Sequence, residues 1–433
     1  MKKFIFCLIT WLTAFTQPLY ATTDLMQVFQ QALHADPTLQ QAKAKEHNIQ
    51  ENVPIQRAGL LPSLDATADY NKQSETALSG LSSSAATLSL TLSQSILDLS
   101  QWFNLKQANY NTKAAAMTYG AALQDLMTRT VSAYFNVVNA KTQVVANQIN
   151  RQALYRLWQN NKTRFKAGLV KTADVDNAYA AYEASLSPLI TAENNLITKQ
   201  AALTAITGQS ISELKELKKS LPLVSPQPRR LSNWLASVGK KNLTVLADQY
   251  TLQADQANIH ANSANHFPTL TATANYQNST GNDINTPEGE SGNVDMKLSF
   301  PIFQGGKIIA QTRQAADLYG QDQAQLTMDY RSNVANTKTD FAGVTNSIAA
   351  LRADQATLSA YQQALKSTEI AYRAGLKVVN ISTVIYAIQN LSNAEINYAN
   401  DRLNYIVAFV NLKKDVGTLS VLDLQQINQW LSG

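Results

Sequence analysis

Two hydrophobic periods take turns along this chain. Leu64, Ala66, Ala68 and Tyr70 alternate with Asp65, Thr67, Asp69 and Asn71, a period of two that predicts a strand over residues 62–73. Leu88, Leu90 and Leu92 alternate with Ser89, Thr91 and Ser93 and predict a second over 86–97. Leu270, Ala272, Ala274 and Tyr276 predict a third over 268–279. Val294, Met296, Leu298, Phe300 and Ile302 predict a fourth over 293–304. In each strand one face is apolar and the other small and polar. Polar, Gly- and Ser-containing stretches, 73–84 and 278–293, read as the loops within the two strand pairs.

Elsewhere the period is helical. Residues 25–59 predict helix broken near Asp36-Pro37, with a further kink or stop at Pro54 and an end at Pro62. From Leu99 to Phe165 there is no proline and one glycine, Gly120, while Leu123, Met127, Val131, Tyr134, Val138, Val145 and Ile149 recur by threes and fours. That is a helix of roughly 65 residues, about 100 Å at 1.5 Å per residue. Helices of this length imply coiled-coil-like packing. Gly168 turns the chain into a returning helix over 173–206. After strand four, Gly305-Gly306 releases another long helix that runs to Tyr372; Gly375 turns it, and a last helix spans 381–414. Residues 416–433 predict a short amphipathic helix.

The pattern is one unit used twice. Ala58-Gly59-Leu60-Leu61-Pro62-Ser63-Leu64 and the alternation that follows return at Ala264-Asn265-His266-Phe267-Pro268-Thr269-Leu270, and Phe165-Lys166-Ala167-Gly168-Leu169 returns as Tyr372-Arg373-Ala374-Gly375-Leu376. The offsets are 206 and 207 residues, too constant for chance. The expected division is a leader (1–21), a first repeat (22–207), a linker (208–231) containing Pro222, Pro226 and Pro228, a second repeat (232–415) and a C-terminal segment (416–433).

Composition narrows the function. Charged residues are only 15% of the 433, and Gln, Asn, Ser, Thr and Ala take their place, so the polar faces are mostly neutral. The net charge of +5 is spread thinly, without a Lys/Arg cluster, which argues against nucleic acid as a partner. Lys2 and Lys3 followed by an apolar stretch from Phe4 to Phe15 read as a secretory signal, cleaved after Ala21. The one cysteine, Cys7, lies inside it, so the mature chain has no disulfide and no thiolate metal site. Beyond the leader no apolar run reaches the roughly 18 residues of a spanning helix, so a membrane crossing must use strands.

Strands of about ten residues cross an outer membrane when tilted. Four cannot close a barrel, and open strand edges are not tolerated in lipid. Two chains would supply eight strands, too few for a wide channel; three would supply twelve, enough to enclose a lumen. The neutral polar helix faces suit a water-filled tube, and a solvated coiled-coil rod is the simpler alternative for the helices alone.

At this point the chain resembles the TolC family of outer-membrane channels over essentially its whole mature length. The resemblance lies in Ser95-Ile96-Leu97-Asp98 and Pro301-Ile302-Phe303-Gln304-Gly305-Gly306 at the strand-to-helix junctions, and in Ala133-Tyr134-Phe135-Asn136-Val137 in the first long helix. It lies also in the two glycine turns, the first followed by Thr172-Ala173-Asp174-Val175. Each motif is weak alone; their order and spacing are specific. The resemblance implies an α+β membrane protein: a homotrimer with one twelve-stranded barrel, four strands from each chain, continuous with a periplasmic helical barrel. It implies an exit duct for drug efflux or type I protein secretion, without a cofactor, served by a periplasmic adaptor and an inner-membrane pump of RND, ABC or MFS type. Adaptor docking would fall at Gly168, Leu169, Gly375 and Leu376. A periplasmic gate would involve Asp174 paired with Tyr372, with Lys377 as a further link. Where the family's best-known member has acidic rings, counting from Gly375 reaches Ile381 and Val384, with Asn380 beside them, so an apolar narrowest ring is expected. The alternative is that Ile381 and Val384 face a neighbouring helix and that Asn380 or Ser382 lines the pore.

Two other functions compete with the channel. A periplasmic coiled-coil adaptor or scaffold would use the helices but leave the strand pairs without a role. An enzyme finds little support: His34, His47, His260 and His266 are never three or four residues apart, and there is no P-loop, nucleophile elbow or zinc signature.

Overall fold

The computed structural model describes residues 22–74, 82–211, 213–218, 220–281, 288–376 and 378–432. The leader, the centres of both strand-pair loops and Lys377 lie outside the described residues.

The chain begins with helices α1 (Leu25–Ala35), α2 (Pro37–Gln50) and α3 (Asn52–Ala58). Asp36 ends the first and caps the second, its carboxylate accepting from the Leu39 N–H at 2.8 Å. Pro54 stands at the third position of α3, where no intrahelical N–H is required, so it starts a helix instead of kinking one. Strands β1 (Ser63–Ser74) and β2 (Ser82–Leu97) lead into α4 (Leu99–Lys166), and α5 (Thr172–Ala184) and α6 (Leu186–Thr207) return beside it. The second half repeats the order: α7 (Leu231–Lys241), α8 (Leu243–Ala264), β3 (Thr269–Gly281), β4 (Gly289–Ser299), α9 (Lys307–Arg373), α10 (Ile381–Asp415) and the short α11 (Val421–Asn428). At 68 and 67 residues, α4 and α9 each extend about 100 Å.

Several boundaries depart from the expected ones: β2 and β4 begin at Ser82 and Gly289, four residues before the expected 86 and 293, and two further departures have a local cause. The returning helix of the first half breaks at Ser185, because Pro188 has no N–H for the preceding turn and its ring displaces the carbonyl there. Strand β4 ends at Ser299 although apolar alternation continues through Phe300 and Ile302. Pro301 cannot donate to a ladder, and the alternation past it belongs to the junction.

The four strands form one antiparallel sheet in the order β1-β2-β3-β4. Its register separates the two faces, with Asn278 and Glu290 as polar members of the apolar one, in line with Leu88. Leu64 lies opposite Leu92, Ala66 opposite Leu90 and Ala68 opposite Leu88. Leu90 in turn faces Tyr276, and Leu270, Ala272 and Ala274 face Leu298, Met296 and Val294. Directly opposed residues share a face, so these apolar side chains make one surface. The other carries Asp65, Thr91, Asn275 and Asn293 in line, with Ser, Thr and Gln around them.

The main core lies midway along the long helices. Leu25, Val28 and Phe29 of α1 pack with Leu126, Val131 and Tyr134 of α4, Tyr405, Ile406 and Val410 of α10, and Leu424 and Ile427 of α11. Two buried tyrosines tie the connecting segments to it. The Tyr134 hydroxyl lies 2.9 Å from the Lys215 carbonyl and 3.2 Å from that of Thr23. The Tyr405 hydroxyl accepts from the Val224 N–H at 2.8 Å and donates to the Val224 carbonyl at 3.1 Å. The linker and the C-terminal segment thereby make a girdle around the helices instead of hanging free. Among the described residues no helix is long and apolar enough to cross a membrane.

Candidate functional site

Two regions of this chain carry features that internal packing does not explain. The first is the sheet. Its apolar face is bare: Val294 is 79% exposed, Met296 70% and Leu64 68%. β1 and β4 are the terminal strands, each with one unpaired edge. A water-soluble sheet hides such a face and blunts such edges. Below it, Trp102, Phe267, Phe300 and Phe303 are exposed around the strand-to-helix junctions, where aromatic side chains of membrane barrels meet the lipid interface.

The second region is the far end of the helices, where α4 turns into α5 and α9 into α10. Gly168 and Gly375 take φ of 72° and 74°, a left-handed conformation that favours glycine, and each closes its helix end. Leu169 is 67% and Leu376 55% exposed at the turn tips, so both turns present an apolar side chain outward. A separate small core stands behind the turns, made of Leu154, Ala178, Ile381, Val384, Ile385 and Ile388.

That core corrects the expected gate. Ile381 and Val384 are 2% and 1% exposed, packed within the chain, and cannot form an apolar pore ring. The reason is the phase of α10. Asn380 is its N-cap, its side-chain oxygen accepting from the Thr383 N–H at 2.9 Å and from the Thr383 hydroxyl at 3.0 Å. With the helix starting there, positions 381, 384, 385 and 388 fall on one stripe facing α4 and α5. The alternative reading of these two residues is the one the geometry follows.

The expected Asp174–Tyr372 bond is also absent within the chain. Asp174 is the N3 residue of α5, and its carboxylate accepts from the Lys171 N–H at 3.2 Å at the helix start. The Tyr372 hydroxyl donates instead to the side-chain oxygen of Asn161. Asn161 is held in turn by its own amide, which donates to the Leu157 carbonyl at 2.8 Å. The Arg164 guanidinium lies 5.0 Å from the centre of the Tyr372 ring. Burial raises the Tyr372 phenol above its ordinary value, with Arg164 opposing and the nearby Asp174 carboxylate adding to the rise. Asp174 and Tyr372 are thus neighbours without a shared proton.

Sequence reasoning missed Asn161 and Arg164. They lie seven and four residues before Gly168, where i−4 spacing places them beside the turn, and that spacing was the available signal. It also missed an aromatic group on the outer side of α4 and α5. Trp158 stacks on Tyr182 at 5.7 Å, Tyr155 and Tyr179 flank them, and Arg151 covers Tyr182 at 4.2 Å. Arg151 also donates to the Tyr182 carbonyl at 3.1 Å, serving a group next to the break at Ser185.

The Tyr372 hydroxyl joins α9 to α4 at the tip through one bond. Tyr372→Phe is expected to loosen that junction and raise single-channel conductance in planar bilayers, with Asn161→Ala giving a similar rise. Unchanged conductance in both variants would remove Asn161 and Tyr372 from the gate.

Comparison with known proteins identifies the chain's relatives. The outer membrane efflux protein family matches residues 28–209 and 234–418, once for each half. The outer membrane protein TolC of Escherichia coli strain K12 is 32% identical, covering 100% of this chain and 90% of the relative. The proteases secretion protein PrtF of Dickeya chrysanthemi is 27% identical over 94% of this chain and 90% of the relative. The Campylobacter jejuni CmeC outer membrane channel, 17% identical, superposes with a TM-score of 0.80 over 94% of this chain and 90% of that one, and shares its fold. The chain belongs to the outer membrane efflux protein family, channel proteins of the Gram-negative outer membrane.

Proposed function

We propose that three copies of this chain close their sheets into one twelve-stranded barrel in the outer membrane and continue it inward as a helical tube. The observation that carries this is the sheet: one face bare and largely apolar, the other polar, with Asp65, Asp69, Asp295 and Lys297 among Ser, Thr, Asn and Gln, and both edges unpaired. Edge β4 of one copy satisfies edge β1 of the next, which removes every open edge and turns the apolar face to lipid. The Ser-, Thr-, Asn- and Gln-rich face then lines a wet lumen.

The tube is an exit duct, not an enzyme. It moves cargo handed over by an inner-membrane pump through a periplasmic adaptor, for efflux as in the channel relatives, for protein secretion as in PrtF, or for both. The adaptor docks at the turn tips, with Gly168 and Gly375 shaping the turns and Leu169 and Leu376 offered as apolar contacts. With Ile381 and Val384 inside the chain, the constriction is formed by residues of the two turns, Asp174 and Asn380 among them.

Native mass measurement in detergent is expected to give three chains, and the same preparation to conduct in bilayers. A conducting monomer or dimer would contradict the trimer. Recovery of the chain only in the soluble periplasmic fraction would favour a coiled-coil adaptor or scaffold.

A further inference from the structure

Four pairs of aspartates meet across the long helices. On α8, Asp248 and Asp255 are seven residues apart and stand against Asp329 and Asp322 of α9, also seven apart. On α10, Asp401 and Asp415 are fourteen apart and stand against Asp354 and Asp340 of α9, also fourteen apart. Seven residues return a packed helix to the same face, and equal spacing on antiparallel partners keeps the register. The four α9 aspartates therefore form one stripe along a single helix. In a chain this poor in charge, that placement is not a solvated acidic face.

These carboxyls are buried or half-buried; Asp255 is 6% and Asp415 8% exposed. Oδ2 of Asp248 and Oδ2 of Asp255 are buried with no donor in reach, and what faces each is another carboxyl. Two carboxylates so placed do not both ionise in the ordinary carboxylate range, and one proton between them supplies the missing donor. A divalent cation fits poorly. It takes six or more oxygen ligands, or several retained waters, and among the described residues no third acidic or histidine side chain joins any pair.

We propose that each pair binds one proton and that the four protons clamp α9 to α8 and α10, the clamp weakening as the pH rises. The surrounding charges agree. Among the described residues no cation acts on Asp248, Asp255 or Asp354; Asp322 adds its charge at Asp248. Lys413 and Lys414 follow one another on α10. The first is engaged by Asp423 of α11, and the second, which favours the ionised form of Asp340 and Asp415, lies 3.3 Å from Asp125 of α4. Lys113 of α4 reaches toward α8 over the Tyr250 ring, at 5.8 Å. Burial and the facing carboxyl push Asp248 and Asp255 up to about 6 and Asp415 up to about 7. The ordinary value, 3.8, applies in the unfolded chain. The contribution to stability is thus complete below 3.8 and is lost as pH rises through 6 to 7.

This rests on packing inside one chain and not on the oligomer. The test uses the full-length protein in detergent with EDTA, following the thermal midpoint and amide hydrogen exchange along α9 at pH 5 and pH 8. The comparison is a variant carrying D248N, D255N, D401N and D415N, with D176N, exposed on α5, as control. In the parent and in D176N the midpoint should fall on going to pH 8. Exchange in α9, corrected for intrinsic rates, should rise about tenfold for each unit of difference in proton affinity. The fourfold variant, whose amides donate at any pH, should keep the acid-form protection at pH 8. Should it fail to fold, D255N with D415N should remove part of the pH dependence. Equal α9 protection of the parent at both pH values, or an unchanged pH dependence in the Asn variants, would overturn the proposal. Recovery of protection at pH 8 on adding magnesium would overturn it in favour of a cation site.

Discussion

A lysine in place of Leu90 is expected to cost about 2–4 kcal/mol per copy once the protein is in a bilayer. Leu90 sits near the middle of β2, opposed by Ala66 on one side and Tyr276 on the other, all on the apolar face. There the ammonium faces hydrocarbon and must be dragged toward a headgroup. The neighbouring change, Thr91→Lys, puts the same charge on the polar face between Asp65 and Asn275, and is expected to cost little. Folding into vesicles, followed by heat-modified gel mobility, separates the two. Equal tolerance of both lysines would mean that neither face meets lipid.

Arg129→Met in the helical body should cost about 3 kcal/mol. Its guanidinium makes a two-toothed contact with Asp36, at 2.9 and 3.0 Å, and reaches Asp125 at 2.8 Å. Asp36 is 2% exposed, so removing the arginine strands a buried carboxylate left with only the backbone N–H groups of Leu39 and Thr38. The hydrogen bond from Arg129 holds the Asp36 carboxyl below the ordinary 3.8, against burial. A depressed carboxyl stabilises the fold above its unfolded value and loses that contribution as pH falls through its folded one. The parent should therefore keep the contribution at neutral pH and lose it below about pH 4. Arg129→Met should lower the thermal midpoint at pH 7 and narrow its gap from the parent in acid. Asp36→Asn added to Arg129→Met should recover part of the loss. A single variant as stable as the parent at pH 7 would show that the pair is held only by solvent-exposed charge.

What the sequence made legible follows from range. The strands were readable because a period of two needs only neighbours. The turn glycines were readable because a positive φ is a local demand, met at Gly168 and Gly375. The burial of Ile381 and Val384 was not readable, because it depends on helix phase. Ile381 and Val384 were counted from Gly375 when the phase is set by the cap at Asn380. Their spacing, continued at Ile385 and Ile388, is that of a buried stripe. The Tyr372 partner, 211 residues away at Asn161, leaves no local trace, and neither does the pairing of Asp36 with Arg129 across 93 residues. The carboxyl ladder lies between these cases. Its seven- and fourteen-residue spacings are in the sequence, but their meaning appears only when α8, α9 and α10 lie side by side.

The central claim is that edge β1 of one copy pairs with edge β4 of the next. Cys7 is the one cysteine of the sequence, so in a Cys7→Ala background introduced cysteines report alone. The direct measurement is disulfide cross-linking in outer membranes, scanning positions 64–70 of β1 against 293–299 of β4. The account predicts covalent species that grow to three chains and stop, with yields alternating along each strand. Cross-links that stop at two chains, continue past three, or never form in membranes that still hold the protein would contradict it.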